Sequence, residues 1–198
     1  MTNERSKDRR VQKTQGLLHG ALASLIHEKS YDAIVVKEIL ARANVGRSTF
    51  YTHFRDKDEL LDRGLRSMLR ACEANAPLRS TGPADRILRF SLPLFAHIEQ
   101  LRGASDASAG VQRQAVIHER LERVLAELIV DDLRGVRSER QPPSAEGVPR
   151  DLLARHVAST FLLVLNWWME SPEPLPARKA NDLFRALILP ALTEAIGS

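Results

Sequence analysis

The sequence predicts an all-α fold, with a three-helix N-terminal domain and a larger C-terminal helical domain. Apolar residues recur at helical spacing along the chain, and the alternation typical of strands is absent. All ten prolines lie at or after Pro77, so nothing interrupts helices in the first third of the chain. The 198 residues, 43% of them hydrophobic, are enough to build a sizeable core. We therefore expect two domains, over residues 1–56 and 57–198.

The first helix is predicted over residues 9–28. Its apolar stripe consists of Leu18, Leu22, Leu25 and Ile26. Cations stand near its N-terminus, where each opposes the helix dipole at a cost of a few tenths of a kcal/mol. This cost suggests that those charges serve another partner.

Two short helices follow, over residues 37–43 and 47–54. The turn between them, Asn44-Val45-Gly46, contains residues that tolerate left-handed and turn conformations. Phe50 and Phe54 stand four apart on the second short helix, so both point to one side. Two short helices joined by a Gly-containing turn form a helix-turn-helix.

The remaining elements follow from apolar spacing and from breakers. A fourth helix begins at Asp56, which with Glu59 resembles a capping box, and carries Leu61, Leu65, Met68 and Cys72 on one face. Four further helices are predicted over residues 83–100 with a kink at Pro93, 111–133, 150–170 and 177–196. A small-residue linker over 103–110 and a polar loop over 135–149 separate them.

Charge is concentrated near the N-terminus. Residues 1–55 carry ten Lys or Arg and five Asp or Glu, whereas the remainder carries nineteen and twenty. A basic first quarter on a near-neutral body is typical of a localised polyanion-binding surface. The alternative is a solvated tail with excess arginine.

Several classes of protein are disfavoured. One cysteine excludes an intramolecular disulfide, and no histidine spacing suits zinc, so neither a metal nor another cofactor is expected. No nucleophile elbow or phosphate-binding glycine loop occurs, so we do not expect an enzyme. The longest uncharged apolar run, 157–169, is too short to span a bilayer. The polar N-terminus does not look like a signal peptide, and a cytoplasmic protein is expected.

The segment VVKEILARANVGRSTFYTHFRDKDELL, residues 35–61, resembles the TetR family of bacterial transcription regulators. The matching features are Ala43-Asn44-Val45, Ser48-Thr49-Phe50-Tyr51, His53-Phe54, and Lys57 followed by Glu59-Leu60-Leu61. The resemblance covers about residues 9–65. It implies a ligand-responsive repressor that binds a palindromic operator as a homodimer.

The candidate DNA-binding residues lie on the helix-turn-helix and just after it. A helix in the major groove must present short polar donors on one face and bury the other. Arg47, Ser48, Thr49 and Thr52 are such donors, while Tyr51 and His53 can reach phosphates. The resemblance adds Lys57 at the start of the fourth helix, and Lys37, which stands where the family often has a threonine.

The C-terminal domain is expected to dimerise and to bind a small-molecule effector. The last two helices are the candidate dimer interface, through Val157, Phe161, Val164 and Trp168 on one helix and Leu183, Leu187, Ala191 and Ala195 on the other. Packing of both faces inside the monomer is the alternative.

The candidate lining of an effector pocket consists of large apolar side chains and two histidines: Phe90, Phe95, His97, His118, Phe161, Trp167 and Met169. Two other functions stay open. A helical ligand- or protein-binding module would show no preference among DNA sequences, and an enzyme would need a catalytic cluster that the spacing does not reveal.

Overall fold

The computed structural model describes residues 2–75, 82–103, 115–137, 148–173 and 175–196. Within these ranges the chain forms α-helices and one short 3-10 helix, and no strand, as predicted. The N-terminal elements are α1 (Thr2–Glu28), the 3-10 helix (Tyr31–Ala33), α2 (Val36–Ala43), α3 (Arg47–His53) and α4 (Lys57–Ala74). The later helices are α5 (Pro83–Ile87), α6 (Ser91–Gly103), α7 (Ala115–Arg137), α8 (Arg150–Glu170) and α9 (Ala177–Ile196).

Some predicted segments fall outside the described residues. These are most of the small-residue linker, 104–110, the first four residues of the helix expected over 111–133, and residues 138–147 of the polar loop. Helix α7 continues to Arg137, four residues beyond its predicted end.

The described chain forms two compact units. The first contains residues 2–65 and 115–117, and the second contains residues 66–103 and 118–196 apart from the undescribed residues. The division expected after residue 56 stays a prediction.

The first unit is built around one apolar core. Helix α1 contributes the leucines of its predicted stripe, and α2, α3 and α4 each contribute at least one side chain that is almost fully buried. The members with the least exposure are Leu18, Ile34, Ile39, Phe50, Phe54 and Leu60. This core holds the two short helices, which are too short to be stable alone.

Helix α1 begins at Thr2 rather than at the predicted Arg9. The expected start followed the apolar periodicity, which is absent from the first residues. Those residues include Glu, Arg and Lys, which are good helix formers, and contain no Gly or Pro. The helix therefore extends beyond its apolar stripe.

The start of α4 is capped by Asp56 and Glu59. The Glu59 amide donates to Asp56 Oδ1 at 2.7 Å, as a capping box requires. The Glu59 carboxylate, however, accepts from the Arg55 amide at 2.8 Å and not from Asp56. That bond, with the bonds from the Arg55 and Arg63 side chains, lowers the pKa of Glu59.

The single helix predicted over 83–100 is wrong, because the structure has two helices there. Helix α5 ends at Ile87, and α6 begins at Ser91, so the break precedes the expected kink at Pro93. Pro93 lies in the first turn of α6, where a backbone N–H has no partner within the helix. It therefore costs that helix nothing.

The second unit packs α9 against α5, α6 and α8. Polar contacts fix the ends of these helices. The Ala177 amide at the start of α9 donates to Glu99 Oε1 on α6 at 2.8 Å. Trp168 Nε1 donates to the Leu175 carbonyl at 2.7 Å, which ties the end of α8 to the connection that follows.

Candidate nucleic-acid interface

Helix α3 separates its polar and apolar residues cleanly. Asn44, at the end of α2, adopts the left-handed conformation (φ 51°, ψ 47°), which turns the chain toward α3. Gly46 precedes α3, and its carbonyl accepts the Phe50 amide at 3.1 Å. Phe50 and Phe54 are 0% and 1% exposed. The four predicted base-contacting side chains, Arg47, Ser48, Thr49 and Thr52, are all exposed.

Residues on the exposed face of α3 contact one another. The Arg47 guanidinium lies 5.6 Å from the centroid of the Tyr51 ring, within the range of a cation–π contact. The Tyr51 ring packs edge-on against Phe50, with centroids 5.2 Å apart. Thr52 Oγ1 donates to the Ser48 carbonyl at 2.9 Å. Tyr51 therefore connects the buried Phe50 to Arg47 at the surface.

His53 and Lys37 lie at different depths. His53 is half-buried at the end of α3, with its ring centroid 6.4 Å from that of Phe54. Lys37 is exposed in the first turn of α2. The Val35 amide donates to Glu38 Oε2 at 3.0 Å, so the Glu38 carboxylate caps this helix.

Ion pairs join α1 to α2. Glu28 pairs with Arg42, whose Nη2 donates to Glu28 Oε2 at 2.9 Å and whose Nη1 donates to Ser24 Oγ at 2.8 Å. Lys29 pairs with Glu38. Hydrogen bonds from Arg42 lower the pKa of Glu28, and bonds from Lys29 and the Val35 amide lower the pKa of Glu38. These exposed pairs orient α2 on α1 but add little stability.

An open cleft of about 580 Å³ lies between α1 and α2. Its lining consists mainly of the same ion-paired side chains: Leu25, Glu28, Lys29, Glu38, Ala41 and Arg42. None of the seven residues predicted to line an effector pocket is among them. The lining charges are paired, so the cleft offers no excess charge to a ligand.

Lys57 does not point into solvent as a free cation. Its ammonium donates to three backbone carbonyls of the turn between α1 and α2. The predicted phosphate contact of Lys57 stays a prediction. Such a contact would compete with these three hydrogen bonds for the Lys57 ammonium.

The predicted effector-lining residues fall into two groups. Phe90, Phe95 and Phe161 are buried, and both Phe90 and Phe95 pack on Phe161, with centroids 5.4 and 4.7 Å away. This aromatic cluster also includes Trp168 and Phe184. The other predicted residues are not fully buried: His97, His118 and Met169 are half-buried, and Trp167 is 49% exposed. Burial lowers the pKa of His118.

The dimer face predicted on α8 is wrong. Val157, Phe161, Val164 and Trp168 are at most 4% exposed and form part of the core of the second unit. The apolar residues that α8 exposes are instead Leu152, Leu163 and Trp167, at 56%, 65% and 49%. They lie eleven and four positions apart, which places them on one side of the helix. On α9 Leu187 is 60% exposed.

The described residues contain no cluster of three His, Cys, Asp or Glu side chains that could hold a metal ion. Among the described helices, none has the length and apolar character needed to cross a bilayer. Cys72 is buried, and this burial raises the pKa of its thiol.

Comparison with protein families matches residues 17–63 to the family described as bacterial regulatory proteins, tetR family. The match spans α1 from its apolar stripe onward, the helix-turn-helix and the first turns of α4. The N-terminal segment that carries the helix-turn-helix is thus similar to the TetR family.

One curated relative and two solved structures illustrate the TetR likeness. An uncharacterized HTH-type transcriptional regulator, YxbF, of Bacillus subtilis is 39% identical over 59 residues, which are 29% of this chain and 16% of that protein. A TetR transcriptional regulator from Streptococcus agalactiae is 23% identical, with a TM-score of 0.57, over 93% of this chain and 98% of its own. RolR, crystallised with the ligand resorcinol, is 18% identical, with a TM-score of 0.53, over 96% and 94%. The structures show a shared fold along most of the chain.

Sequence reasoning missed three features of this surface. It did not foresee the 3-10 helix, the carbonyl contacts of Lys57, or the Arg47–Tyr51 stack. The stack could have been found, because the two residues stand four apart on a helix. The carbonyl contacts could not, since they join residues 23 to 26 positions apart.

Proposed function

We propose that this chain is a ligand-responsive transcriptional repressor that binds a two-fold symmetric operator as a homodimer. The observation that carries the proposal is the division of α3, with four exposed polar side chains over the buried Phe50 and with the buried Phe54 directly after the helix. This is the arrangement that a helix needs to enter the major groove, because short polar donors can meet base edges there. The family match covers the same segment.

The proposal assigns roles to the exposed residues. Arg47, Ser48, Thr49 and Thr52 read bases, and Arg47 is the residue suited to a bidentate contact with guanine. Tyr51, His53 and Lys37 contact phosphates and set the register without reading sequence. No catalytic role is assigned to any residue.

Dimerisation is proposed through the exposed apolar face of α8 and its neighbour α9. Leu152, Leu163, Trp167 and Leu187 are large apolar side chains left exposed on the last two helices. Large apolar side chains left exposed on neighbouring helices are typical of an interface. A two-fold axis through these helices would make a four-helix bundle and would give two copies of α3, as a palindromic operator requires.

The effector is proposed to be a small aromatic or lipophilic molecule bound in the second unit. The aromatic cluster around Phe161 and the half-buried His97 and His118 would supply an apolar environment with few polar groups. The resorcinol complex of the similar RolR supports an aromatic class. The effector would release DNA by preferring a dimer geometry in which the two α3 helices no longer match the operator.

The test starts from selection of bound sequences out of a random duplex pool, followed by binding titrations on the selected site at several salt concentrations. We expect a two-fold symmetric site whose half-sites are about 34–36 Å apart. The preference is the difference in binding free energy between the selected site and a version altered at one base pair. Arg47→Ala should reduce this difference by about 1–3 kcal/mol. Arg134→Ala, which removes an exposed arginine on α7, is the control and should leave that preference unchanged.

Two results would contradict the proposal. One is equal affinity for the selected and scrambled duplexes. The other is an Arg47→Ala variant that keeps full base preference at the altered position. Repression is tested separately, with a reporter gene placed behind the selected site. If transcription of the reporter rises when the protein is expressed, the protein is an activator and the proposed repression is wrong.

A further inference from the structure

Two residues at the start of α4 hold the 3-10 helix that precedes α2. Lys57 Nζ donates to the carbonyls of Tyr31 and Ile34 at 2.9 Å and to that of Asp32 at 3.3 Å. The same ammonium lies 4.5 Å from the centroid of the Tyr31 ring. The Tyr31 hydroxyl donates to Asp58 Oδ1 at 2.5 Å. We call these contacts the turn clamp.

The turn clamp uses the full donor capacity of Lys57. An ammonium group carries three hydrogens and has no acceptor, and here three carbonyl oxygens converge on it. Tyr31 is 3% exposed, so its ring presents a desolvated face to the cation. A phosphate could recruit this ammonium only if carbonyl bonds were given up.

The turn clamp acts on the segment that leads into α2. The amides of Ala33 and Ile34 donate to the carbonyls of Ser30 and Tyr31 at 3.1 Å each, which defines the 3-10 helix. Helix α2 begins at Val36, two residues after Ile34, and Lys37 is its second residue. Fixing the carbonyls of this turn therefore fixes where α2 begins.

We infer that Lys57 is a positioning residue that holds the turn before α2 and does not serve as a phosphate contact. The inference rests on the proposed DNA-binding function, since it concerns how the helices proposed to contact DNA are held in position. It replaces the role that the family resemblance suggests for this lysine. The clamp ties the turn before α2 to the first turn of α4.

Lys57→Arg and Lys57→Met separate the two roles. Arginine binds phosphate at least as well as lysine, so a phosphate contact would survive Lys57→Arg. Its planar guanidinium spreads its donors over several nitrogens, so it cannot place three of them where one Nζ stands. A positioning role therefore predicts that both variants weaken DNA binding.

The first measurement needs no DNA. Amide hydrogen exchange of the full-length protein is followed by mass spectrometry in peptides that cover residues 30–40. Hydrogen bonds to a charged donor stabilise enough to slow opening about tenfold or more, so both variants should exchange faster there by that factor. Lys179→Met, an exposed lysine on α9, is the control and should exchange as the wild type does in this segment.

The second measurement is the salt dependence of binding to the selected duplex. Positioning predicts lower affinity for both variants with an unchanged slope of log affinity against log salt. A lost phosphate contact would reduce the slope by about 0.9. Lys37→Met, which removes an exposed lysine on α2, shows the slope change expected for such a loss.

Unchanged exchange in both variants would overturn the inference, whatever the DNA does. A reduced slope for Lys57→Met together with full affinity for Lys57→Arg would also overturn it, in favour of the phosphate contact. If the wild type bound no DNA sequence, the proposed function would fail, and the exchange measurement would still decide whether Lys57 holds the turn.

Discussion

Replacing Trp167 by Gln should dissociate the proposed dimer. Trp167 is 49% exposed on the outer face of α8, where glutamine is tolerated in a helix. A tryptophan side chain covers about 200 Å², so burying the exposed half removes roughly 100 Å² from water. At about 25 cal/mol per Å² this contributes roughly 2.5 kcal/mol. A two-fold axis doubles it to roughly 5 kcal/mol, which corresponds to a dissociation constant more than about a thousandfold higher.

Sedimentation velocity over a concentration series from nanomolar to micromolar measures this constant. Leu163→Gln, on the same side of α8, should act in the same direction. Leu101→Gln on α6 is the matched control, because Leu101 is 43% exposed and lies outside the last two helices. Its dimer should be as tight as that of the wild type.

Two outcomes would refute this reasoning. In the first, the wild type sediments as a monomer throughout the series. In the second, Trp167→Gln and Leu163→Gln stay as dimeric as the wild type, so the exposed apolar face of α8 contributes nothing to self-association. A weaker dimer should also bind the selected duplex more weakly, because a single α3 covers only one half-site.

Further predictions concern the first unit. Burial lowers the pKa of His19, and its buried Nε2 accepts no hydrogen bond among the described residues. The unfolded chain therefore takes up a proton at His19 at a higher pH than the folded chain does. The free energy of unfolding should fall as the pH drops below about 6.5. Urea titrations above and below that pH should show a smaller loss of stability for His19→Gln than for the wild type. Part of the pH dependence should remain in this variant, because burial also lowers the pKa of His118. Asn44→Val should cost about 1–2 kcal/mol because Asn44 has a left-handed backbone, and a wild-type urea midpoint would contradict this. Phe50→Ala should lower the free energy of unfolding by about 3–5 kcal/mol and abolish DNA binding. Thr49→Ala, at the exposed face, should change the free energy of unfolding by less than about 0.5 kcal/mol. Equal effects of the two variants on stability would refute the division of α3 into a buried and an exposed side.

Much of the helix-turn-helix could be predicted because its signals are local. The Asn44-Val45-Gly46 turn, the four-residue spacing of Phe50 and Phe54, and the Asp56 cap are each contained within a few residues. The structure bears out the turn, the burial of both phenylalanines and the bond from the Glu59 amide to Asp56.

The C-terminal predictions were less accurate because α8 is apolar on more than one side. Periodicity shows that Phe161 and Trp168 share a face, but both that face and the face of Trp167 carry large apolar residues. Only packing against neighbouring helices selects which face is buried. For the same reason the break before Ser91 was missed, since Pro93 signals a disturbance without giving its position.

The sequence by itself determined the all-α fold, the helix-turn-helix and the polar outer face of α3. Each depends on residue types at short, regular spacing, which act before the chain is packed. Only the tertiary structure decided which side of α8 faces outward and that the Lys57 ammonium donates to the turn before α2. Those outcomes depend on contacts between residues far apart in sequence, and the competing local arrangements are equally compatible with the amino-acid pattern.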